Sequence, residues 1–237
     1  MRLAVVGASG RMGRAVVRLA HAEGVEIVCA VGATDIGRDV GELAGVGAFG
    51  TCIVDGLAAL EHARAEVVVD FSSPGATLAL AQIAAAAGTA VVSGTTGLGD
   101  DARAALDRAA TRVPVLWEPN MSLGVHVLTE LVRRASTVLA EWDAEIVETH
   151  HRAKVDAPSG TALRLAESTG RARVGMHALR GGDVVGDHAV HFLGGGERIE
   201  LTHRATSRDV FAHGALRAAR WIVGRPPGRY ALRDVLG

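Results

Sequence analysis

Seven residues near the N-terminus constrain the fold more than any other segment: Gly7-Ala8-Ser9-Gly10-Arg11-Met12-Gly13. They follow a short apolar, β-branched run at residues 2–7 (RLAVVG) and open a stretch in which Val16, Val17, Leu19 and Ala20 recur at helical spacing. A second apolar run, Val25 to Val31, comes next. A buried strand, a glycine turn, a helix and another buried strand make a β-turn-α-β unit, which requires parallel strands joined by a right-handed crossover. Glycine permits the tight turn and lets backbone N–H groups approach a pyrophosphate at the helix start, where the dipole favours an anion. Glycine spacing alone is a weak signal in a chain with 30 glycines. Its position between strand and helix is the context that gives it meaning.

The alternation continues. Helices are predicted near 56–64, 77–87 and 101–110, with strands at 67–71, 90–93 and 113–117, so the N-terminal part reads as a doubly wound, Rossmann-type parallel α/β domain. After Asn120 the rhythm changes to a long helix over 123–139 and four strands at 145–149, 176–179, 188–193 and 198–203 with little helix between them. That pattern predicts a second α+β domain with a mixed or antiparallel four-stranded sheet. A final helix over 207–223 is placed to pack back on the first domain. The predicted division is 1–121 with 208–237 as a dinucleotide-binding domain, and 122–207 as a second domain for the substrate.

Composition narrows the classes. Hydrophobic residues make up 49% and aromatics only 3%, so the core must be built from Ala, Val, Leu and Ile. A net charge of −1 without a basic stripe argues against nucleic-acid binding. No apolar run approaches the roughly 18–20 residues of a membrane span, and the run Leu3–Val6 is too short for a signal peptide. Cys29 and Cys52 are unpatterned, which fits a reducing compartment and predicts a cytoplasmic protein.

Three strand ends should line the ligand crevice, because ligands of open α/β sheets lie beyond the carboxyl ends of the strands. They are Phe71-Ser72-Ser73-Pro74, Gly94-Thr95-Thr96-Gly97 and Glu118-Pro119-Asn120. After the second strand an acidic residue would meet ribose hydroxyls and a basic one a 2′-phosphate. The segment Ala30-Val31-Gly32-Ala33-Thr34-Asp35 is apolar at the expected spot, with Asp35 slightly late and Arg38 and Arg11 as phosphate partners, so NADH and NADPH both stay open.

The most specific segment is Glu145-Ile146-Val147-Glu148-Thr149-His150-His151-Arg152-Ala153-Lys154-Val155-Asp156-Ala157-Pro158-Ser159-Gly160-Thr161-Ala162. It holds adjacent histidines and the only lysine among 25 basic residues. Either that lysine survives by chance or it sits where arginine cannot serve, as a compact point charge. Adjacent histidines lack the i, i+2 spacing that places two ligands on one strand face, and no cysteine cluster completes a zinc site, so no metal is expected. An anionic substrate site fits better. Lys154 attracts a carboxylate, Gly160 and Thr161 offer backbone N–H groups at a helix start, and a histidine supplies a proton near neutral pH. The other histidines (His21, His62, His126, His177, His188, His191, His203, His213) have no comparable setting and read as structural or exposed.

At these residues the chain resembles the 4-hydroxy-tetrahydrodipicolinate reductase (dihydrodipicolinate reductase) family of lysine and diaminopimelate biosynthesis. The resemblance covers nearly the whole chain and rests on Gly7–Gly13, Asp39–Gly45, Gly94–Gly97, the 145–162 segment and Thr206-Ser207-Arg208 through Trp221. It implies hydride transfer from NADH or NADPH to a cyclic unsaturated dicarboxylate. His150 would be the general acid and Lys154 its charged partner, with His151, Lys154, Gly160 and Thr161 holding the substrate carboxylates. Gly7, Gly10, Arg11, Met12 and Gly13 would hold the pyrophosphate, with Asp35 beyond the second strand; Gly94, Thr96 and Asn120 would line the nicotinamide pocket. The middle domain would build a homotetramer. Departures are the short apolar segment after the second strand, His213 where the family often has asparagine, and the loss of most of a long glycine-rich loop between Thr169 and Arg180. The alternatives are another amino- or keto-acid dehydrogenase, against which the 145–162 segment speaks, and a nucleotide-binding sensor without turnover, which would need no proton donor.

Overall fold

The computed structural model describes all residues 1–237. In chain order the elements are β1 (Arg2–Val6), α1 (Arg11–Ala22), β2 (Glu26–Val31), α2 (Val40–Ala44), β3 (Ile53–Val54), β4 (Val67–Asp70), α3 (Pro74–Ala87), β5 (Ala90–Ser93), α4 (Asp100–Ala109), β6 (Pro114–Trp117), α5 (Leu123–Val138), β7 (Asp143–His150), α6 (Gly160–Ser168), β8 (Gly175–Arg180), β9 (Gly186–Leu193), β10 (Arg198–Ala205), α7 (Asp209–Ile222), β11 (Gly228–Tyr230) and α8 (Leu232–Leu236). They form two compact units, Met1–Met121 with Asp209–Gly237, and Ser122–Arg208.

The first unit is a seven-stranded sheet in the order β11-β6-β5-β4-β1-β2-β3, parallel throughout. The strand order reverses between β1 and β4, the mark of a doubly wound sheet. Helices cover such a sheet on both faces, so its central strands are apolar on both sides. Accordingly Leu3, Ala4 and Val5 of β1 and Val67, Val68 and Val69 of β4 are fully buried. The C-terminal α7 packs on α1 and on β4, β5 and β6 of this unit. Its Gly214 lies so close to the Met121 carbonyl that a Cβ there would overlap it.

The second unit is a mixed sheet in the order β10-β9-β7-β8, with β7 and β8 parallel and the other pairs antiparallel. Only one face is covered. Ala144, Ile146, Val190 and Phe192 from the sheet form a core with Leu128 and Val132 of α5 and Ala162 and Leu165 of α6. The short α6–β8 connection is pinned by Arg171, which donates to the Ser136 hydroxyl at 2.9 Å and to the Leu139 carbonyl at 2.6 Å, and also to the Trp142 carbonyl. One guanidinium thus ties this connection to the backbone where α5 ends.

The segment near 56–64 is a 3-10 turn over Leu57–Glu61 instead of an α-helix. Gly56 at φ +83 and Arg64 at φ +50 bracket it, and a 3-10 turn is the usual form of so short a connector. The elements without a periodic signal are α2, β3, β11 and α8, each five residues or fewer.

Candidate active site

In the first unit, Gly7 leaves β1 at φ +81, in the left-handed region that favours glycine. A Cβ at Gly7 would overlap the Phe71 carbonyl, and one at Gly13 would overlap the Gly7 carbonyl and Ala8. Gly13 thus sets the close approach of α1 to the turn after β1, and Gly7 that of the turn to the end of β4. The Gly7 and Ala8 amides both donate to the Val31 carbonyl at 2.9 Å, tying the turn to the end of β2. Gly10 is the N-cap of α1, which has no side-chain cap bond and no acidic residue in its first turn. By contrast Asp39, Ser73, Ser122 and Ser159 cap α2, α3, α5 and α6 through their side chains. A glycine cradle against an uncapped helix start suits a pyrophosphate. Arg11 is exposed and Met12 half-buried there.

Asp35 stands in the loop leaving β2 at φ +59. Its carboxylate accepts from Arg38 at 2.9 Å and from Thr34 at 3.1 Å. The Arg38 bond, helped by the Thr34 bond, holds the Asp35 carboxyl below its ordinary range. An acid suited to ribose hydroxyls and a base suited to a 2′-phosphate therefore stand side by side.

At the ends of β4 and β5, Asp70 is fully buried without a cationic partner. Its carboxylate accepts from the Ser72 amide at 3.0 Å, the Thr77 hydroxyl at 2.7 Å, the Ser93 hydroxyl at 2.8 Å and the Thr95 hydroxyl at 3.0 Å, as well as from the Ser72 hydroxyl. Donors of this number satisfy a buried carboxylate. Trp117 of β6 extends the network by donating to the Thr95 carbonyl at 2.9 Å. A Cβ at Gly94 would overlap the Phe71 ring. Around this rigid edge lie exposed Thr96 and half-buried Asn120.

The second unit holds the titratable groups. Burial alternates along β7, so Ala144, Ile146, Glu148 and His150 share the covered face. Strand register then sets Arg180 of β8 opposite His150, and His188 of β9 opposite Glu148. Glu148 is 1% exposed and His150 8%. Glu148 accepts from His150 Nδ1 through one oxygen, and through the other from Arg180 Nη2 at 2.7 Å and the Ser159 amide at 3.2 Å. Burial alone would raise the Glu148 carboxyl, but the bonds from Arg180 and His150 outweigh it and hold the group below its ordinary range. His150 is shifted down, by burial first, with Glu148 opposing and the charges of Lys154 and Arg180 adding to the fall.

His188 lies edge-on to His150 with ring centroids 5.1 Å apart, and its Nε2 is 3.2 Å from the Ser159 hydroxyl. Burial, with His150 and other cationic neighbours adding to it, pushes His188 down to about 4, so it is neutral at physiological pH. His188 therefore belongs to this cluster and not with the histidines that lack a setting. The Ser159 hydroxyl also caps α6 at the Ala162 amide. Gly160, the first residue of α6, is exposed with open space where a side chain would project. Thr161 follows it, half-buried. Lys154 binds both oxygens of Asp156, at 2.7 and 2.9 Å, and its amide donates to the His151 carbonyl at 3.0 Å, closing the turn after β7. His151 is half-buried at that turn.

Glu148, His150 and His188 offer ligand atoms within 4.8 Å of one another. The charges around them favour a proton site over a metal centre. Both Glu148 oxygens are committed, Arg180 sits on one of them, and Lys154 adds a second cation. Glu148, Arg180, His188 and Asp70 are the residues that sequence reasoning missed. One signal was present: Glu148 and His150 are two apart on a strand and must share a face.

Comparison with known proteins gives a consistent picture. Residues 1–121 match the family model described as dihydrodipicolinate reductase, N-terminus, and residues 124–236 match the model for its C-terminus. A 4-hydroxy-tetrahydrodipicolinate reductase of Anaeromyxobacter dehalogenans is 50% identical over the whole chain and 97% of its own length. One from Archaeoglobus fulgidus is 48% identical over the full length of both. Among solved structures, a dipicolinate-bound dihydrodipicolinate reductase from Paenisporosarcina superposes with a TM-score of 0.80 at 21% identity, covering 98% of this chain and 97% of that one.

Proposed function

The chain belongs to the dihydrodipicolinate reductase family, and from that premise we propose how its own residues divide the work of an NAD(P)H-dependent oxidoreductase. The substrate, 4-hydroxy-tetrahydrodipicolinate, loses its ring hydroxyl and a proton from the neighbouring carbon as water, and the carbon–carbon double bond so formed takes up a hydride and a proton to give tetrahydrodipicolinate. The bound dihydronicotinamide supplies the hydride. Gly7, Gly10 and Gly13 admit the pyrophosphate to the N-terminus of α1, flanked by Arg11 and Met12, and Asp35 serves the ribose end. Gly94, Thr96 and Asn120 line the nicotinamide pocket, at the strand ends that Asp70 holds together.

The substrate domain is residues 122–207, and it holds the dicarboxylate. An ammonium has three N–H donors; with Lys154 bound to both oxygens of Asp156, one remains for a substrate carboxylate. The Gly160 and Thr161 amides at the start of α6 and the His151 side chain take the rest of the dianion. His150 then protonates the ring carbon as the hydride arrives at the other end of the reduced bond. The observation that carries this reading is the His150–Glu148 contact. It fixes Nδ1 as the donor to Glu148 and leaves Nε2 for the substrate.

The sheet face of this domain opposite its core carries Val147, Thr149 and Ala189, half-buried, with Leu179 and Leu193 exposed. Glu145, His177, Asp187 and His191 share that face by strand register, and this uncovered mixed surface is the one assigned to a homotetramer interface. No helix is long and apolar enough to cross a membrane. Both cysteines are unpaired, which fits the reducing, cytoplasmic site of action proposed for the chain. Steady-state kinetics of His150→Gln test the assignment. Turnover is to fall by about 100-fold, the scale of a lost general acid, with KM for the coenzyme little changed. Turnover near that of the parent would overturn it.

A further inference from the structure

We propose that Glu148 is a positioning residue that governs His150, holding its ring by Nδ1 and keeping a negative charge beside it through turnover. The inference rests on the reading of His150 as proton donor and goes beyond it, because Glu148 itself need not touch the substrate. Three observations carry it. Glu148 and His150 lie on the covered face of β7, and the Glu148 carboxylate binds His150 Nδ1 directly. The same carboxylate is anchored by Arg180 at 2.7 Å and by the Ser159 amide at 3.2 Å. Arg180 is itself fixed by the Asp156 carbonyl at 2.6 Å and the Leu179 carbonyl at 2.7 Å.

The arrangement has two chemical consequences. With Nδ1–H committed to Glu148, neutral His150 carries its lone pair on Nε2, the nitrogen that gives and regains the proton. The charged groups facing His150 are Glu148 on its own strand, Arg180 from β8, His188 from β9, and Lys154 with Asp156 from the loop after β7. Burial and the two cations disfavour imidazolium, His188 is neutral near pH 7, and Glu148 is the adjacent anion that opposes them. Ser159 links this carboxylate to the first turn of α6, so one residue also sets the acid in register with the carboxylate-binding helix start.

The test is the pH profile of turnover for Glu148→Gln, which keeps the shape and removes the charge. A general acid loses activity as pH rises through its pKa, so the alkaline limb should move to lower pH by about one unit. Turnover at pH 8 should fall at least about tenfold while binding of NADH stays as in the parent. Glu148→Asp, which restores the charge on a shorter arm, should return the limb toward its parental position. A purely structural Glu148 would lower activity at every pH without moving the limb, and that result overturns the proposal. If Glu148→Gln does not fold, nitrogen-15 NMR of histidine-labelled parent decides. Neutral His150 should be protonated on Nδ1, and protonation on Nε2 overturns the proposal. His150→Gln separates the two claims. Full turnover in that variant sinks the donor reading and this proposal together, whereas lost turnover with an unshifted Glu148→Gln profile sinks this proposal alone.

Discussion

A buried carboxylate is costly unless its charge is met, and Glu148 is met by His150, Arg180 and the Ser159 amide together. The same reasoning applied to His188 gives a stability prediction. Its pKa of about 4 when folded lies below the ordinary 6.5 of the unfolded chain. Between those values the unfolded state takes up a proton that the folded state refuses. Stability should therefore fall as pH drops from about 6.5 to about 4 and gain no further His188 contribution below that, a loss of up to about 3 kcal/mol. Urea unfolding at stepped pH should show this slope in the parent and a shallower one in His188→Gln; equal slopes would contradict it. Lys154 makes a second case at this scale. Arginine keeps the charge but is a broad planar fork instead of a compact ammonium. Lys154→Arg should lower kcat/KM for the dicarboxylate by about tenfold or more, whereas near-parental kinetics would mean that the single lysine survived by chance. The roles proposed for Lys154 and His150 start from the sequence, where unusual residues cluster in the 145–162 segment. The partners of His150 were not legible there, because Arg180 and His188 reach it only through strand register.

At the scale of elements, β1, the glycine turn and α1 were readable because a short continuous apolar run, a glycine turn and a period-3.6 run follow one another without interruption. The four strands of the second unit were readable as well. The turn also makes a sharp prediction. Because a Cβ at Gly13 would overlap the Gly7 carbonyl, Gly13→Val must push α1 away from β1, at about 1–3 kcal/mol for such overpacking. NADH binding, followed by fluorescence, should weaken at least tenfold while the circular dichroism of the fold persists. Unchanged binding would remove the turn from the cofactor site. What stayed hidden were the short elements, α2, β3, β11 and α8, which pack by tertiary context and are too brief to show a period. Asp70 was hidden differently. It ends an apolar run that looks complete without it, and its role emerges only when Ser72, Thr77, Ser93 and Thr95 converge on it.

For the molecule as a whole, the doubly wound parallel sheet and the smaller mixed sheet follow from the change of rhythm near Asn120. The departures from the family pattern find local physical settings. The short α6–β8 connection is secured to the end of α5 by Arg171, and the short loop after β2 pairs Asp35 with Arg38. That pairing sets an acid suited to ribose hydroxyls beside a base suited to a 2′-phosphate, the ground for expecting both coenzymes to serve. The measurement that tests the account most directly follows NADH and NADPH oxidation in parallel, with the dicarboxylate generated in situ from pyruvate and aspartate semialdehyde. Oxidation should depend on the dicarboxylate, proceed with both coenzymes and be lost in His150→Gln. A chain that binds the coenzyme and is supplied with the dicarboxylate, yet oxidises neither NADH nor NADPH, would contradict it.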